Sequence, residues 1–289
     1  MKTIQYHLIA LLVIVVWGTT FVATKMLLYK GLSPRDIFFY RFLLAYAGIW
    51  FFGPRRLFAA NFKDEFLLML VGLTGGSLYY MAGNTALEIT QASNVALLAC
   101  TSPILTIFFS RLLLKNEPLK NPYLWQGSLL ALAGVVFVIF NGRFILQINP
   151  LGDMLSLLAA LSWALYIILL KRLGGSYSML FITRKVFFYG LLTLLPLFYY
   201  TPLNLDTNVL MQSVVWGNLL HLGLVSSLVC YFLWNTVVKR LGAVRASNYV
   251  YLSPVVTLVA SAIVLRETIT LVALAGALLI LIGVALAER

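Results

Sequence analysis

Two tyrosine–asparagine pairs recur in this chain at one spacing. Tyr80 and Asn84 lie four residues apart, and Tyr231 and Asn235 repeat that spacing 151 residues later. Residues four apart share one face of a helix, so each pair forms a small polar patch. Phenols and amides that faced lipid would lack hydrogen-bond partners. The pairs therefore predict either two matching walls of a substrate cavity or hydrogen bonds that only hold helices together.

Four basic residues, Lys25, Arg41, Arg184 and Lys185, lie inside long apolar runs. A charge within a membrane segment is costly and usually functional. Lys25 lies near the end of its run, and Arg184 and Lys185 lie one to two turns from an end, so their charged heads are expected to reach the membrane surface. The guanidinium of Arg41 has the forked shape that binds a carboxylate through two hydrogen bonds. Arg41 is therefore the candidate for binding a substrate carboxylate.

Aromatic side chains form a third group of candidates for the cavity wall. Aromatic faces suit an aromatic or cationic substrate, although rings also fill protein cores and the interfacial belts of membrane proteins. The candidates inside apolar runs are Trp17, Trp163, Tyr166, Trp234, Tyr249 and Tyr251.

Two prolines also recur at the 151-residue offset. Pro103 and Pro254 each follow a serine inside an apolar run. Proline removes a backbone hydrogen bond and clashes with the preceding turn of a helix, so each predicts a kink. Prolines are tolerated in membrane helices without any function, but their duplication favours a hinge.

Catalytic and metal-binding patterns are missing from the sequence. No His-Glu-x-x-His, Gly-x-Ser-x-Gly or P-loop lysine motif is present, so hydrolysis and ATP-driven pumping have no support. Cys100 and Cys230 have no partners at ligand spacing and are interpreted as buried apolar residues. We expect no enzyme activity, no catalytic residue, no metal and no cofactor.

The elements that must position these residues are membrane helices. Of 289 residues, 62% are apolar and 10% are charged, whereas a soluble domain has about 45–50% and about 25%. This composition excludes a soluble protein and a disordered chain. A helix that crosses the bilayer needs about 20 apolar residues. Ten runs approach that length, at residues 7–28, 35–53, 66–87, 92–114, 123–140, 151–170, 178–199, 213–238, 243–265 and 269–287.

The net charge of +12 reflects basic residues in the short gaps between these runs, which does not indicate nucleic-acid binding. With the N-terminus in the cytoplasm, thirteen Lys and Arg residues fall in inner segments and four in outer segments. Such a bias is typical of cytoplasmic loops, so both termini are expected in the cytoplasm and the protein in the inner or plasma membrane. The inner residues are Lys2, Arg55, Arg56, Lys63, Arg111, Lys115, Lys120, Lys171, Arg172, Lys239, Arg240, Arg245 and Arg289, and the outer ones are Lys30, Arg35, Arg143 and Arg266.

The chain resembles itself along most of its length. Beyond the repeats above, Gly127 and Gly134 recur as Gly276 and Gly283 and are expected to allow close helix packing. Five helices in each half is an odd number, so the second half must enter the membrane inverted. Inverted repeats are typical of secondary transporters, whose sites lie between the halves near the membrane midplane. The two expected halves cover residues 1–142 and 143–289.

These motifs also carry a family resemblance, which extends over the whole chain. The stretch from Trp17 to Lys25, with Ser33-Pro34 and Tyr40-Arg41-Phe42, resembles the start of proteins of the EamA family in the drug/metabolite transporter superfamily. The end of each half is similar to the same family through its Ser-Pro pair, a glutamate (Glu117 or Glu267) and its glycine pair. The resemblance implies two inverted five-helix halves around a central cavity, and export of small metabolites. Similar members include amino-acid and aromatic amino-acid exporters.

Repeat and resemblance together predict a secondary transporter that exports small metabolites, amino acids first, by alternating access as a facilitator or exchanger. Its expected partners are a small-molecule substrate and the lipid bilayer, without an obligate protein partner. A proton-coupled drug or metabolite antiporter is an alternative. Because no apolar run has a carboxylate at its centre, His221 is the candidate proton carrier in that case. A passive channel is the other alternative.

Overall fold

The computed structural model describes residues 2–52, 57–90, 92–114, 121–140, 149–173, 175–200, 202–265 and 269–288, and within these ranges every regular element is a helix. The first half contains α1 (Lys2–Tyr29), α2 (Pro34–Ile49), α3 (Phe62–Gly72), α4 (Leu78–Ile89), α5 (Ala92–Ala99), α6 (Ser102–Leu113) and α7 (Leu124–Phe140). The second contains α8 (Pro150–Leu173), α9 (Met179–Leu194), α10 (Thr207–Leu210), α11 (Ser213–Leu220), α12 (Cys230–Leu241), α13 (Ala243–Asn248), α14 (Ser253–Leu265) and α15 (Leu271–Glu288). Shorter 3-10 and π-helical stretches join some of these helices, at Leu73–Ser77, Leu195–Tyr199, His221–Val229 and Tyr249–Leu252.

Within the described ranges, six helical stretches are long and apolar enough to cross a membrane, and two shorter apolar helices accompany them. The six are Ile4–Tyr29, Phe62–Ile89, Val95–Leu113, Pro150–Leu173, Met179–Tyr199 and Ser213–Leu241, and the shorter ones are Leu124–Phe140 and Leu271–Ala287. The expectation of an all-helical, multi-pass membrane protein is confirmed for the described part of the chain. Several residues used above lie outside that part, namely Arg55, Arg56, Lys115, Glu117, Lys120, Arg143, Arg266, Glu267, Arg289 and the boundary at 142–143.

A capping box fixes the start of α2 and with it the depth of Arg41. The Ser33 hydroxyl accepts a hydrogen bond from the backbone N–H of Asp36, and the Asp36 carboxylate accepts one from the backbone N–H of Ser33 at 2.9 Å. Pro34 occupies the first turn, where no backbone N–H is needed. Two orphan donors are satisfied by this exchange. Arg41 therefore enters the bundle about two turns below a well-defined helix end.

The fourth and ninth apolar runs are broken just before their prolines. α5 ends at Ala99 and α6 begins at Ser102, so Pro103 is the second residue of α6. In the ninth run the 3-10 turn Tyr249–Leu252 precedes α14, and Pro254 is the second residue of α14. A proline in the first turn of a helix has no hydrogen bond to remove. The role of both prolines as hinges stays a prediction.

The third and eighth runs each contain a π-helical stretch at equivalent positions. When the 151-residue offset of the tyrosine–asparagine pairs is added to the first stretch, Leu73–Ser77, the resulting positions fall within the second stretch, His221–Val229. Gly76 departs from helical geometry inside the first stretch, with φ −123° and ψ −107°. A π turn shifts the backbone hydrogen-bond register and is frequent at functional sites. Backbone carbonyls of both stretches are consequently open to side chains from other helices.

The two halves interlock, and their contacts come in matched pairs. α2 packs on the π-helical stretch of the eighth run, and its counterpart α9 packs on α3 and the π-helical stretch of the third run. α1 packs on α12 and α14, while its counterpart α8 packs on α4, α5 and α6. Each of these helices thus contacts elements of the other half, and its counterpart contacts the equivalent elements of the first.

The last helices of the halves, α7 and α15, run antiparallel in close backbone contact. A Cβ atom on Gly127 would lie 2.5 Å from the carbonyl oxygen of Gly283, and one on Gly134 would lie 2.6 Å from that of Gly276. These distances leave no room for a side chain at the glycines, so their absence of a Cβ lets the two backbones approach closely. We call these four residues the glycine seam.

Candidate functional site

A cavity of about 490 Å³ lies between the two halves. It lies toward the end of the bundle where α1 and α4 finish and α8 begins, since Thr24, Leu87 and Ser156 are in its wall. Its wall is built by α1, α2, α4, α5, α7 and the start of α6 from the first half, and by α8, α14 and the 3-10 turn before α14 from the second. This volume suits a small molecule, because ligand pockets span about 300–1,000 Å³.

Aromatic rings form one wall of the cavity. Trp17 and Trp163 meet edge to face with ring centroids 5.3 Å apart, and Tyr79 packs on Trp163 at 5.0 Å. The indole N–H of Trp17 donates to the carbonyl oxygen of Ser226 at 3.1 Å, in the π-helical stretch of the eighth run. This bond and the ring packing hold the three rings in place. They present an apolar, π-rich surface to the cavity.

Arg41 is the charged residue of the cavity wall and is only 5% exposed. Its Nε donates to Ser227 Oγ at 2.6 Å and its Nη2 donates to Ser226 Oγ at 2.9 Å. The guanidinium carbon lies 4.4 Å from the centroid of the Tyr80 ring. Among the described residues the structure pairs Arg41 with no carboxylate. Within the described part of the chain, the groups that contact its positive charge are therefore neutral.

The first tyrosine–asparagine pair lies in the same wall. Tyr80 stacks beneath Arg41, and Asn84 follows one turn further along α4, partly exposed to the cavity. The structure thus brings together Trp17, Arg41, Tyr80, Asn84 and Trp163, five of the residues that the sequence proposes for substrate binding. Their contact with a substrate stays a prediction.

The second pair lies in a buried polar cluster and is absent from the cavity wall. The Asn235 amide donates to Thr183 Oγ1 at 2.8 Å and accepts the hydroxyl proton of Tyr166. The Tyr231 hydroxyl donates to the carbonyl oxygen of Gly75 at 2.8 Å, in the other π-helical stretch. We call Tyr166, Thr183, Tyr231 and Asn235 the inner cluster. The two pairs are therefore not equivalent in this conformation, because one lines a cavity and the other fills a core.

Three further candidates have different surroundings. The Tyr249 hydroxyl is hydrogen-bonded to His7 Nδ1 near the start of α1, outside the cavity wall. Pro103 is buried behind Ser102, which does line the wall. Pro254 lines the wall directly.

An ion pair that the sequence does not predict joins α3 to α9. Lys185 Nζ pairs with Glu65 Oε1, and the Tyr189 hydroxyl donates to the same oxygen. Lys185 is 3% exposed, and a carboxylate from the other half neutralises it within the protein. The expected extension of its charged head to the membrane surface stays a prediction. Arg184 is also buried, with its guanidinium carbon 5.1 Å from the Trp50 ring centroid.

His221 holds α1 against the eighth run. Its Nε2 lies 3.1 Å from Thr19 Oγ1, and the Thr19 hydroxyl donates its own proton to the carbonyl oxygen of Val16 at 2.7 Å. The Nε2–H of His221 is therefore the donor to Thr19. His221 is absent from the cavity wall, so this histidine acts as a structural hydrogen-bond partner in this conformation.

A second pocket adjoins the cavity at the end of α1. It shares Leu87 with the cavity wall and is also lined by Lys25, Tyr29, Ser33 and Glu88. Lys25 and Glu88, which have opposite charges, therefore line a pocket next to the cavity. Within the described ranges no group of three His, Cys, Asp or Glu residues is placed to hold a metal ion.

Substitution of the two asparagines is expected to separate binding from stability. Asn84→Ala removes an amide from the cavity wall, so flux should fall about 3- to 10-fold, the equivalent of one hydrogen bond. Asn235→Ala leaves Tyr166 and Thr183 without their partner in a fully buried cluster, which should cost about 1–3 kcal/mol of stability. Flux in proteoliposomes and unfolding temperature in detergent measure the two effects. Unchanged flux and unchanged unfolding temperature in both variants would contradict these roles.

Comparison with known proteins places the chain among transporters. The EamA-like transporter family matches residues 4–140 and, a second time, residues 150–288. The chain is 30% identical over 285 residues to a protein of Escherichia coli strain K12 named "Probable amino-acid metabolite efflux pump", covering 95% of this chain and 92% of that one. It is 28% identical over 282 residues to an "Uncharacterized transporter" of Archaeoglobus fulgidus, covering 96% and 95%.

The fold is also found in a solved structure. A protein crystal structure superposes with a TM-score of 0.78 over 98% of this chain and 96% of that chain, at 20% sequence identity. At that identity the likeness extends to the arrangement of helices and no further.

Proposed function

Because the chain belongs to the EamA-like transporter family, we propose that it exports small metabolites, chiefly amino acids with apolar or aromatic side chains. The observation that carries this proposal is the cavity, in which Arg41 is the charged group beside the Trp17 and Trp163 rings. A guanidinium binds a carboxylate through two hydrogen bonds, and the rings suit an apolar or aromatic side chain. The name of the similar Escherichia coli protein supports amino-acid metabolites as the substrate class.

The proposed topology has ten membrane crossings, with both termini in the cytoplasm of a cell-membrane protein. The excess of Lys and Arg in the inner segments supports this orientation. The cavity then lies in the outer half of the membrane, and the inner cluster lies in the inner half. The substrate would leave toward the outside from the conformation described here.

The proposed mechanism is alternating access between two inverted halves, as a facilitator or exchanger. The matched contacts between the halves support an approximate two-fold relation. Exchange of conformations between the halves would open the inner cluster and place Tyr231 and Asn235 in an inward-facing cavity, while Tyr80 and Asn84 would close. The fully buried inner cluster supports a carrier over a continuously open pore.

Counterflow tests this proposal. Proteoliposomes are preloaded with unlabelled phenylalanine, and entry of labelled phenylalanine is followed without a pH gradient. A carrier should show uptake that saturates and that rises when the unlabelled substrate is present inside. Empty liposomes report passive leakage of the label.

Each other outcome selects a different mechanism. Uptake that is indifferent to the internal substrate indicates a channel. Uptake that appears only with an imposed pH gradient indicates the proton-coupled alternative. Absence of uptake under both conditions would overturn the assignment of amino acids as the substrate.

A further inference from the structure

The charges of the cavity wall are unbalanced, and this imbalance bears on which substrates fit. We propose that the cavity binds its substrate through the carboxylate and the apolar side chain, without a counter-charge for the α-amino group. It should therefore carry the 2-oxo and 2-hydroxy acids that correspond to apolar and aromatic amino acids, as well as the amino acids themselves. This inference rests on the proposed function.

The charge of Arg41 has no counter-ion among the described residues. A guanidinium has five N–H donors, and the two serine hydroxyls and the Tyr80 ring that contact it are neutral. A buried charge without a counter-ion is strongly disfavoured. The side chain still has free donors and lies in the wall of a cavity. An anion with the planar shape of a carboxylate meets both requirements.

The described residues of the wall provide no carboxylate to receive an ammonium group. Arg41 is the single charged side chain there. Of the nearby carboxylates, Glu65 pairs with Lys185 and Asp36 caps α2. Glu88 faces the adjoining second pocket, and Asp153, whose Oδ1 is buried without a hydrogen-bond partner, is also absent from the wall. An α-ammonium in the cavity would therefore lose its water and meet only neutral acceptors, with a positive guanidinium close by.

The neutral groups of the wall attract an ammonium group only weakly. The amide oxygen of Asn84 can accept one hydrogen bond, and the faces of Trp17 and Trp163 attract a cation weakly. These groups tolerate an ammonium and do not demand one, because none of them is left with an unpaired charge when the ammonium is missing. A neutral carbonyl or hydroxyl at the same carbon costs less free energy to desolvate than a charged ammonium does. Loss of the amino group should consequently change binding little.

The test is a matched series of four compounds that share one phenyl ring: phenylalanine, phenylpyruvate, phenyllactate and phenethylamine. Each is preloaded unlabelled into proteoliposomes, and uptake of labelled phenylalanine and, separately, of labelled phenylpyruvate is measured. We expect phenylpyruvate and phenyllactate to stimulate uptake within about threefold of phenylalanine, a difference smaller than one hydrogen bond. Phenethylamine, which lacks the carboxylate, should not stimulate uptake.

The outcomes separate this inference from the proposed function. If phenylalanine exchanges but phenylpyruvate stimulates its uptake at least about tenfold less, the inference is overturned and amino-acid export stands. Exchange of phenylpyruvate without exchange of phenylalanine supports the inference and overturns amino-acid export. Stimulation by phenethylamine overturns the inference that the carboxylate is required, whereas no exchange of either labelled acid overturns both.

A variant provides an independent readout at the amino group. Asn84→Ala removes the neutral acceptor, so it should slow phenylalanine exchange more than phenylpyruvate exchange and thereby raise the ratio of oxo-acid to amino-acid flux. An equal loss for both compounds would show that Asn84 does not contact the amino group. A rise in the flux of phenylalanine alone would contradict the assignment of the cavity wall.

Discussion

Flux through the Arg41→Met variant is expected to fall at least about 30-fold at low substrate concentration. A hydrogen bond to a charged group contributes about 1.5–3 kcal/mol, and each 1.4 kcal/mol is about a factor of ten in affinity. Arg41→Lys keeps the charge but replaces the fork with a single ammonium, so its loss should be intermediate. Initial rates over a range of substrate concentrations measure both variants, and the main change should be a higher half-saturation concentration.

Stability measurements keep this result interpretable. Methionine has a similar length and removes a buried charge that has no carboxylate partner among the described residues. This gain offsets the lost hydrogen bonds to Ser226 and Ser227, so the unfolding temperature of Arg41→Met should change little. Arg172→Gln is the matched control, because Arg172 is exposed at the end of α8 and should leave flux unchanged. Wild-type flux in Arg41→Met would show that Arg41 does not bind the substrate carboxylate.

The second large effect is expected at the glycine seam. In Gly283→Ala the new Cβ would lie 2.4 Å from the backbone nitrogen of Ala131 and 2.6 Å from the carbonyl oxygen of Gly127. Both contacts are with backbone, so α7 and α15 must separate, at a cost of about 1–3 kcal/mol. The unfolding temperature in detergent and the yield of monodisperse protein should both drop.

Gly217→Ala controls for the change in helix propensity. Gly217 lies in α11, and a Cβ atom there meets nothing within 4 Å. Alanine favours a helix over glycine by about 1 kcal/mol, so this variant should match or slightly exceed the wild-type unfolding temperature. An unchanged unfolding temperature in Gly283→Ala would show that the two helices can move apart freely.

The helices themselves could be predicted well from the sequence. A chain in lipid must satisfy every backbone hydrogen bond internally, so a long apolar run has helix as its main option. The run predicted at 151–170 is helical over Pro150–Leu173, for example. The breaks at residues 100–101 and 249–252 lie next to Pro103 and Pro254, whose effect on a helix is local.

The candidate site could be predicted only in part. Five predicted residues do lie in the cavity wall, namely Trp17, Arg41, Tyr80, Asn84 and Trp163. They could be predicted from the internal repeat or from the cost of burying a polar or charged group. Tyr231 and Asn235 have the same pattern but lie in a closed core. A repeat treats its two halves alike, whereas one conformation opens a cavity at one end only. The sequence therefore carries no information on which pair lines the cavity.

Two other features depend on distant contacts or on backbone detail. Glu65 and Lys185 are 120 residues apart in different halves, so no local spacing links them. The π-helical stretches change only the backbone register. Their signal in the sequence is the cluster of glycine and hydroxyl residues at Thr74–Ser77 and at Ser226–Ser227, since such residues accompany irregular helix turns.

The glycine seam has the contact pattern of a homodimer interface. Gly127 meets Gly283, while Gly134 meets Gly276, the repeat counterpart of Gly127. Contacts in which both partners present the same patch are called isologous, and they are typical of two-fold symmetric dimers. A single half thus carries a self-complementary face, through which two identical copies would pair with their last helices antiparallel. Divergence between the halves is correspondingly restricted here, because a larger residue at any of the four glycines pushes both halves apart.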